Sequence, residues 1–256
     1  DKEVLISTYI CHPSMANNEV SGIVVLTKLV QWLQSTSKLK YSYRILFCPE
    51  TIGAIAFLSE RYKLLKSKLI AGFVVTMVGD DRGYSFIETP NKDSLTDRVA
   101  NHVVKYLCSN PNIIPYTMRA SDERQFCSPG IDLPVVTVMR GGRYPEYHTS
   151  EDNLGLISPV GLYGGFEYVR LCVSALEMNC SPRWVVRGEP HLSKYDLRNT
   201  TGGPRILSEN EFLISNILAF SNGQRDLLQI ADLLEKPIWE IYPSIRTLKE
   251  KNLIIL

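Results

Sequence analysis

The sequence predicts an α/β fold, in which a mostly parallel mixed sheet is flanked by helices, followed by a small C-terminal winged-helix domain. Short β-branched apolar runs alternate with longer segments of helical period, as in βα units. The strand-length runs show little polar alternation, which is typical of strands buried on both faces. A stretch rich in Pro and Gly then precedes the last helical segments, which indicates a second domain.

The elements of the first domain follow in order along the chain. Apolar runs predict strands at 4–10, 43–48, 70–78, 84–88 and 133–139. Segments of helical period predict helices at 22–39, 55–65, 94–108 and 158–178. The first helix, for example, carries Val25, Leu29 and Leu33 at the spacing of one helical face.

The second domain is predicted from three short helices and a terminal strand. Because Pro and Gly punctuate the preceding stretch, we expect a linker at 188–205 between an α/β domain at 1–187 and a winged-helix domain at 206–256. The helices are predicted at 209–220, 227–234 and 238–251, and residues 252–256 are predicted to form one strand of a truncated wing.

Composition argues against several kinds of partner. The formal net charge is +1, and residues 205–256 carry six Lys or Arg against seven Asp or Glu, so nucleic acid is not expected as a partner. No apolar run approaches the roughly 20 residues that cross a bilayer, so no membrane partner is expected. The six cysteines form no CxxC pair, which favours a cytoplasmic location. For the winged-helix segment we expect packing or homo-oligomer formation.

Two of the four histidines carry the main functional signal. His12 and His148 each follow a strand-like run and open a polar loop, and Glu50 follows another such run. The carboxyl ends of parallel strands meet at one edge of a sheet, where His and Glu side chains form a plausible zinc hydrolase site. The alternative is a pair of hydrogen-bonded loop histidines.

A zinc-binding histidine needs a partner for its second ring nitrogen. Polar candidates lie in both loops: Ser14, Asn17, Asn18 and Glu19 near His12, and Glu146, Glu151 and Asp152 near His148. Cys11 is not expected to share a metal with His12, because neighbouring residues on a strand point to opposite faces.

Three acidic segments leave two interpretations open. Glu50 is either a surface residue that begins a helix, favoured by the helix dipole, or a general base. Asp122 and Glu123 lie either in an exposed loop or in a position to complete a metal shell or bind a substrate amine. Asp80 and Asp81 are expected in a turn, because glycines flank them.

The order of these motifs resembles that of the M28-like zinc aminopeptidases. The matching segments are His12-Pro13-Ser14, Ala16 to Gly22, Glu50-Thr51-Ile52-Gly53, Thr76-Met77-Val78-Gly79, the loop from Ser121 to Gly130, and His148-Thr149. The chain resembles more closely a bacterial aminopeptidase-like subgroup that ends in a winged-helix module. Some of its members look associated with surface-polysaccharide gene clusters. The resemblance implies a zinc-exopeptidase-like fold and metal-dependent cleavage of an amide bond.

Departures from the family pattern limit the metal site that this resemblance implies. The bridging aspartate of the two-zinc enzymes is Asn18 here, and two further anionic ligands are Thr51 and Thr76. Because an amide lacks the charge that holds two dications together, we expect one zinc, held by His12 and His148. Asn18 through its amide oxygen, or a carboxylate such as Glu123, would supply a third contact and water a fourth.

The leading hypothesis is therefore a zinc-dependent aminopeptidase or amidohydrolase. Glu50 would act as general base on a small peptide or aminoacyl amide, and Asp122, Glu123 and Tyr147 would contact the substrate. The competing hypothesis is a binding or regulatory protein that has lost catalysis, which the lost anionic ligands motivate. Family members carry a helix and two strands before the first strand of this chain, so we also expect an N-terminal part beyond it.

Overall fold

The computed structural model describes residues 2–198 and 208–256. The chain divides into two compact units, Asp1–Val173 and Ser174–Leu256. The sheet and the candidate site belong to the first unit, and the three C-terminal helices belong to the second.

A six-stranded mixed sheet forms the centre of the first unit. Its strands are β1 (Glu3–Tyr9), β2 (Ser42–Cys48), β3 (Leu69–Val75), β4 (Ser85–Ile87), β5 (Asn112–Ile114) and β6 (Val135–Met139). Their order is β2-β1-β3-β6-β4-β5. The first four in that order are parallel, while β4 runs antiparallel to β6 and parallel to β5. The predicted fold class is confirmed.

Helices connect the strands and cover the sheet. They are α1 (Ser21–Ser35), α2 (Ile52–Lys68), α3 (Leu95–Leu107), the short α4 (Glu123–Phe126) and α5 (Pro159–Met178), with a π-helical turn at Ala16–Val20. Val4, Leu5 and Ile6 are consecutive in β1 and have no exposed surface. Successive side chains point to opposite faces of a sheet, so both faces of β1 are covered. Leu5 shares one cluster with Leu58 and Leu65 of α2.

The strand order brings the candidate residues to one edge of the sheet. β1 lies between β2 and β3, so the connections on its two sides diverge and leave a crevice at the carboxyl ends. The loops that carry His12, Glu50, Thr76 and His148 follow the carboxyl ends of β1, β2, β3 and β6.

Close packing fixes α5 against the loop after β3. A Cβ atom on Gly161 would lie 1.9 Å from the carbonyl oxygen of Gly79, and one on Gly165 would lie 2.4 Å from that of Val78. Only glycine permits this approach of a helix to another backbone. The same loop begins with Met77 in a left-handed conformation (φ 51°), which ends β3 at Val75, earlier than the predicted strand.

The second unit has a helical core and a two-stranded ladder. Its helices are α6 (Glu209–Phe220), α7 (Leu227–Leu233) and α8 (Ile238–Glu250), and β7 (Arg183–Trp184) pairs antiparallel with β8 (Ile254–Ile255). Ile217, Ile230 and Ile245 are fully buried. The predicted terminal strand is therefore present, and its partner lies before all three helices.

Several local features differ from the sequence-based expectations. β5, α4 and the π-helical turn were not predicted, because each is too short to show a period. Within the predicted linker 188–205, residues Leu192–Tyr195 form a 3-10 helix, and 199–205 lie outside the described residues. Among the helices of residues 2–198 and 208–256, none has the length and apolar character needed to cross a membrane.

The packing of α5 gives a test of this architecture. Replacing Gly161 with Ala should lower the free energy of unfolding by about 3 kcal/mol, because overpacking against a backbone atom outweighs the helix propensity gained. Gly155→Ala is the matched control, since its Cβ would meet only the Asn153 side chain, at 3.0 Å. Urea unfolding of both variants measures the difference. Equal stability of the two variants would contradict the close approach of α5.

Candidate active site

The two candidate histidines lie side by side at the carboxyl edge of the sheet. The ring centroids of His12 and His148 are 5.3 Å apart. His148 stacks on Tyr147 with a centroid distance of 3.9 Å and has a φ of 59°, a left-handed conformation that is costly for a non-glycine residue. The structure thus brings together two loops that are far apart in sequence.

Asp152 joins the two histidine loops. Its Oδ1 accepts a hydrogen bond from the backbone N–H of Asn17 at 2.6 Å, and its Oδ2 accepts from the N–H of Asn18 at 3.1 Å. The Tyr144 hydroxyl also donates to Oδ2 at 2.7 Å, and the backbone carbonyl of Asp152 accepts from Ala16. A buried carboxylate therefore satisfies the N–H groups that open the π-helical turn.

The loop after β3 is tied to the same turn through Asn17 and Asp80. The Asn17 amide donates to Asp80 Oδ2 at 3.0 Å and accepts from the N–H of Gly79 at 2.8 Å. Arg82 bridges Asp80 and Glu146, at 3.2 Å and 3.0 Å. Asp80 is thus a buried structural carboxylate in the expected turn.

Tyr9, Asn18 and Thr76 form a buried cluster of three polar side chains. Tyr9 Oη is 2.8 Å from Asn18 Oδ1 and 2.5 Å from Thr76 Oγ1, and Thr76 Oγ1 donates to the Asn18 backbone carbonyl at 2.8 Å. Burial raises the pKa of Tyr9 well above its usual value, so its hydroxyl keeps its proton.

The number of donor protons in this cluster determines which way the Asn18 side-chain amide is oriented. With the amide oxygen towards Tyr9, two hydroxyl protons must serve three contacts, and the buried Nδ2 has no partner among the described residues. With the amide turned over, Nδ2 donates to Tyr9, Tyr9 to Thr76, and Thr76 to the carbonyl, so each contact has its proton. We assign this second orientation. It leaves Asn18 Oδ1 as a buried carbonyl oxygen without a protein partner.

Glu50 is half-buried and adjoins a buried aspartate. Its Oε1 accepts a hydrogen bond from Ser121 Oγ at 2.8 Å. The next residue, Thr51, has a φ of 64° and donates its backbone N–H to Asp122 Oδ1 at 2.7 Å. Burial, with a smaller contribution from the charge of Glu50, raises the pKa of Asp122 to about 6. The backbone N–H of Glu50 donates to Cys11 Sγ, which is 3.1 Å from His12 Nδ1, so Glu50 lies near His12.

Asp122 and Glu123 lie inside the protein rather than in an exposed loop, and their predicted contact with a substrate stays a prediction. Both are fully buried. The two oxygens of Glu123 accept hydrogen bonds from the N–H groups of Ala120 and Ser121 and from the Thr137 hydroxyl, so Glu123 holds its loop and lacks a free oxygen for a metal. Asp122 instead supports the strained turn that carries Glu50.

Cys11 and Glu19 lie beside His12 on its Nδ1 side. Cys11 Sγ is 3.1 Å and Glu19 Oε2 is 3.4 Å from His12 Nδ1. Cys11 Sγ also accepts the backbone N–H of Glu50 at 3.2 Å, and Glu19 Oε2 accepts that of His12. The prediction that Cys11 points away from His12 is wrong, because both residues follow the end of β1 at Tyr9 and strand alternation does not apply to them.

A mostly apolar cavity adjoins the histidine pair. Its volume is about 630 Å³, and its lining includes Met77, Ile114, Met118, Met139 and Tyr147. Tyr147 therefore lines the cavity and also stacks on His148, and its predicted contact with a substrate stays a prediction. The cavity itself was not predicted, since its walls come from separate loops and strands.

Comparisons with known proteins agree with this architecture. Residues 1–179 match a family model described as a domain of unknown function (DUF4910), and residues 181–255 match one described as a winged helix-turn-helix. A Clostridium acetobutylicum protein, named for polysaccharide biosynthesis and an aminopeptidase-like domain, is 36% identical over 237 residues, which cover 90% of this chain and 53% of that protein.

Solved structures show the same fold. The crystal structure of a candidate peptidase from Clostridium acetobutylicum has a TM-score of 0.90 and 33% identity, over 100% of this chain and 58% of that one. A zinc aminopeptidase from Bacillus subtilis has a TM-score of 0.56 and 16% identity, over 68% of this chain and 46% of that one. This chain thus spans somewhat more than half the length of its Clostridium relatives.

The family match over residues 1–179 and the Clostridium relatives agree with the predicted resemblance to aminopeptidase-like proteins. The chain belongs to the DUF4910 family of proteins with an aminopeptidase-like fold, and it carries a C-terminal winged helix-turn-helix.

Proposed function

We propose that the chain is part of a peptidase-like hydrolase that cleaves an amide bond with one zinc ion and Glu50 as general base. The observation that carries this proposal is the 5.3 Å separation of the His12 and His148 rings beside Glu50. Two imidazoles bound to one tetrahedral zinc have ring centres about 5 Å apart, given zinc–nitrogen bonds near 2.1 Å. The observed separation therefore fits a single shared ion.

The orientation of His12 supports the same assignment. The Glu19 carboxylate beside Nδ1 only accepts hydrogen bonds, which favours the tautomer with its proton on Nδ1. The lone pair of Nε2 then remains for a metal. The unpartnered Oδ1 of Asn18 provides a third, neutral ligand at the position of the family's bridging aspartate.

One ion rather than two suits the residues at positions 51 and 76. The Thr51 hydroxyl accepts a hydrogen bond from Arg124 at 2.7 Å, and the Thr76 hydroxyl belongs to the cluster with Tyr9. Both groups are neutral and already bonded within the protein, so neither supplies the negative charge that a second dication needs.

A bound zinc ion and Glu50 would have different roles in amide hydrolysis. Zinc, when bound, would polarise the scissile carbonyl. Glu50 Oε1 accepts a hydrogen bond from Ser121 Oγ, while Oε2 has no protein partner among the described residues. Oε2 would accept a proton from the attacking water, and Glu50 would return it to the leaving amine.

The cavity next to the histidines suggests which part of the substrate binds there. Its methionine and isoleucine lining would accept an apolar side chain of a small peptide or aminoacyl amide. Tyr147 would contact that group at the boundary with His148. The absence of a CxxC pair among the six cysteines supports the proposal that the protein acts in the cytoplasm.

A binding protein that has lost catalysis is the second candidate. The neutral Asn18, Thr51 and Thr76 favour it, because they remove the anionic ligands of the two-zinc enzymes. The Clostridium relative named for polysaccharide biosynthesis makes a sugar-linked amide a reasonable ligand. Absence of hydrolysis across a broad panel of aminoacyl amides would favour this function over the first.

Replacing Glu50 with Gln tests the proposed mechanism. Glu50→Gln should reduce kcat by about 10²- to 10⁴-fold, because the amide cannot accept the proton, and zinc content should stay unchanged. Glu60→Gln, on the exposed surface of α2, is the matched control and should keep full activity. Undiminished hydrolysis of aminoacyl amides by the Glu50 variant would reject the mechanism.

The ionisation of Asp122 gives a test that does not depend on activity. Its pKa of about 6 lies above the ordinary 3.8, so the folded protein binds this proton more tightly than the unfolded chain. Stability should therefore fall as pH rises from about 4 to about 6. Asp122→Asn keeps an acceptor for Thr51 and removes the buried charge, so it should be more stable than the wild type at pH 7, by about 2 kcal/mol.

Urea unfolding at pH 4 and pH 7 measures this effect. The exposed Asp132→Asn variant is the control and should follow the wild type at both values. An Asp122→Asn variant whose stability relative to the wild type does not change with pH would show that Asp122 titrates normally.

A further inference from the structure

Glu19 is a buried carboxylate without a full cationic partner. It is 3% exposed, and within the described part of the chain its only ion-pair partner is His12, at 3.4 Å from Nδ1. No Lys or Arg side chain of the described residues lies within ion-pair distance of it. Burying a carboxylate is unfavourable unless a cation compensates its charge, so this corner of the site favours a positive ion.

Three metal-binding atoms converge at this corner. Cys11 Sγ, His12 Nδ1 and a Glu19 carboxylate oxygen lie within 4.8 Å of one another, and no other such cluster occurs among the described residues. Sγ and Oε2 are 3.1 Å and 3.4 Å from Nδ1, close to the separation of about 3.5 Å between ligands of one tetrahedral ion. Cys11 is exposed, so an ion reaches the cluster from solvent.

We propose that Cys11, His12 through Nδ1, and Glu19 bind one thiophilic divalent cation. Thiolate, imidazole and carboxylate together suit zinc or cadmium rather than magnesium or calcium, which prefer oxygen ligands alone. The backbone N–H of Glu50 already points at Cys11 Sγ and would stabilise the thiolate that coordination creates. Binding releases the thiol proton to solvent.

This cation and a zinc shared by His12 and His148 exclude each other. A neutral imidazole has one lone pair, so a cation on Nδ1 moves the ring proton to Nε2 and removes the ligand that faces the other site. The exclusion rests on the proposed function, whereas the cluster itself does not. A soft cation at Cys11 would therefore act as an inhibitor of the hydrolase.

Cadmium titration of the chain tests the proposal, because thiolate coordination to cadmium gives a near-ultraviolet charge-transfer absorption. We expect one cadmium per chain with this absorption. Cys11→Ser should abolish the absorption, and Glu19→Gln should weaken cadmium binding by about 10- to 100-fold. Cys108→Ser, at a thiol outside the cluster, is the matched control. It should behave as the wild type, as should His148→Ala.

The outcomes separate this proposal from the proposed function. An absorption that persists in Cys11→Ser, loss of cadmium binding in His148→Ala, or no thiolate absorption at all would overturn the cadmium site. Simultaneous binding of cadmium at Cys11 and zinc at His148 would overturn the exclusion. If zinc supports Glu50-dependent hydrolysis without any thiolate absorption from cadmium, the proposed function stands and the cluster proposal fails. Circular dichroism confirms that each variant is folded.

Discussion

The hydrogen bonds of Asp152 are the constraint on which the rest of the candidate site depends. One buried carboxylate accepts the N–H groups of Asn17 and Asn18 and the hydroxyl of Tyr144. These bonds fix the His148 loop to the turn that follows His12. A second, longer link joins the same loops through Asn17, Asp80, Arg82 and Glu146. Charge-assisted bonds from a buried acceptor are strong and directional, so the polar network performs the role that packing has elsewhere in the sheet.

The distribution of negative charge then determines what the site can hold. The positions where the resemblance implies anionic ligands are neutral here, and Asn18 and Thr76 are joined to Tyr9 in a closed hydrogen-bonded cluster. The remaining buried charge beside His12 belongs to Glu19. A single imidazole lone pair on His12 serves one cation at a time. The charges and the available lone pairs of these side chains therefore limit the chemistry of this edge as much as the fold does.

The sequence predicted the features that have a period or a recognisable order. Strands buried on both faces and amphipathic helices show in the spacing of apolar residues, and the motif order pointed to the histidine loops. Contacts across long sequence separations could not be predicted, such as Asp152 on Asn17 or the pairing of β7 with β8, because the local pattern carries no information about them. The burial of Glu123 could not be predicted for the same reason, since its partner Thr137 lies in a separate strand.

We propose that this edge of the sheet holds one metal ion. Elemental analysis of the purified chain, after zinc loading and extensive dialysis, tests it most directly. We expect one zinc per chain, and no zinc after replacement of His12 with Ala. Two tightly bound zinc ions in the wild type would contradict it, because His12 offers one lone pair and positions 18, 51 and 76 supply no anionic ligand. A wild-type chain that retains no zinc would contradict it equally.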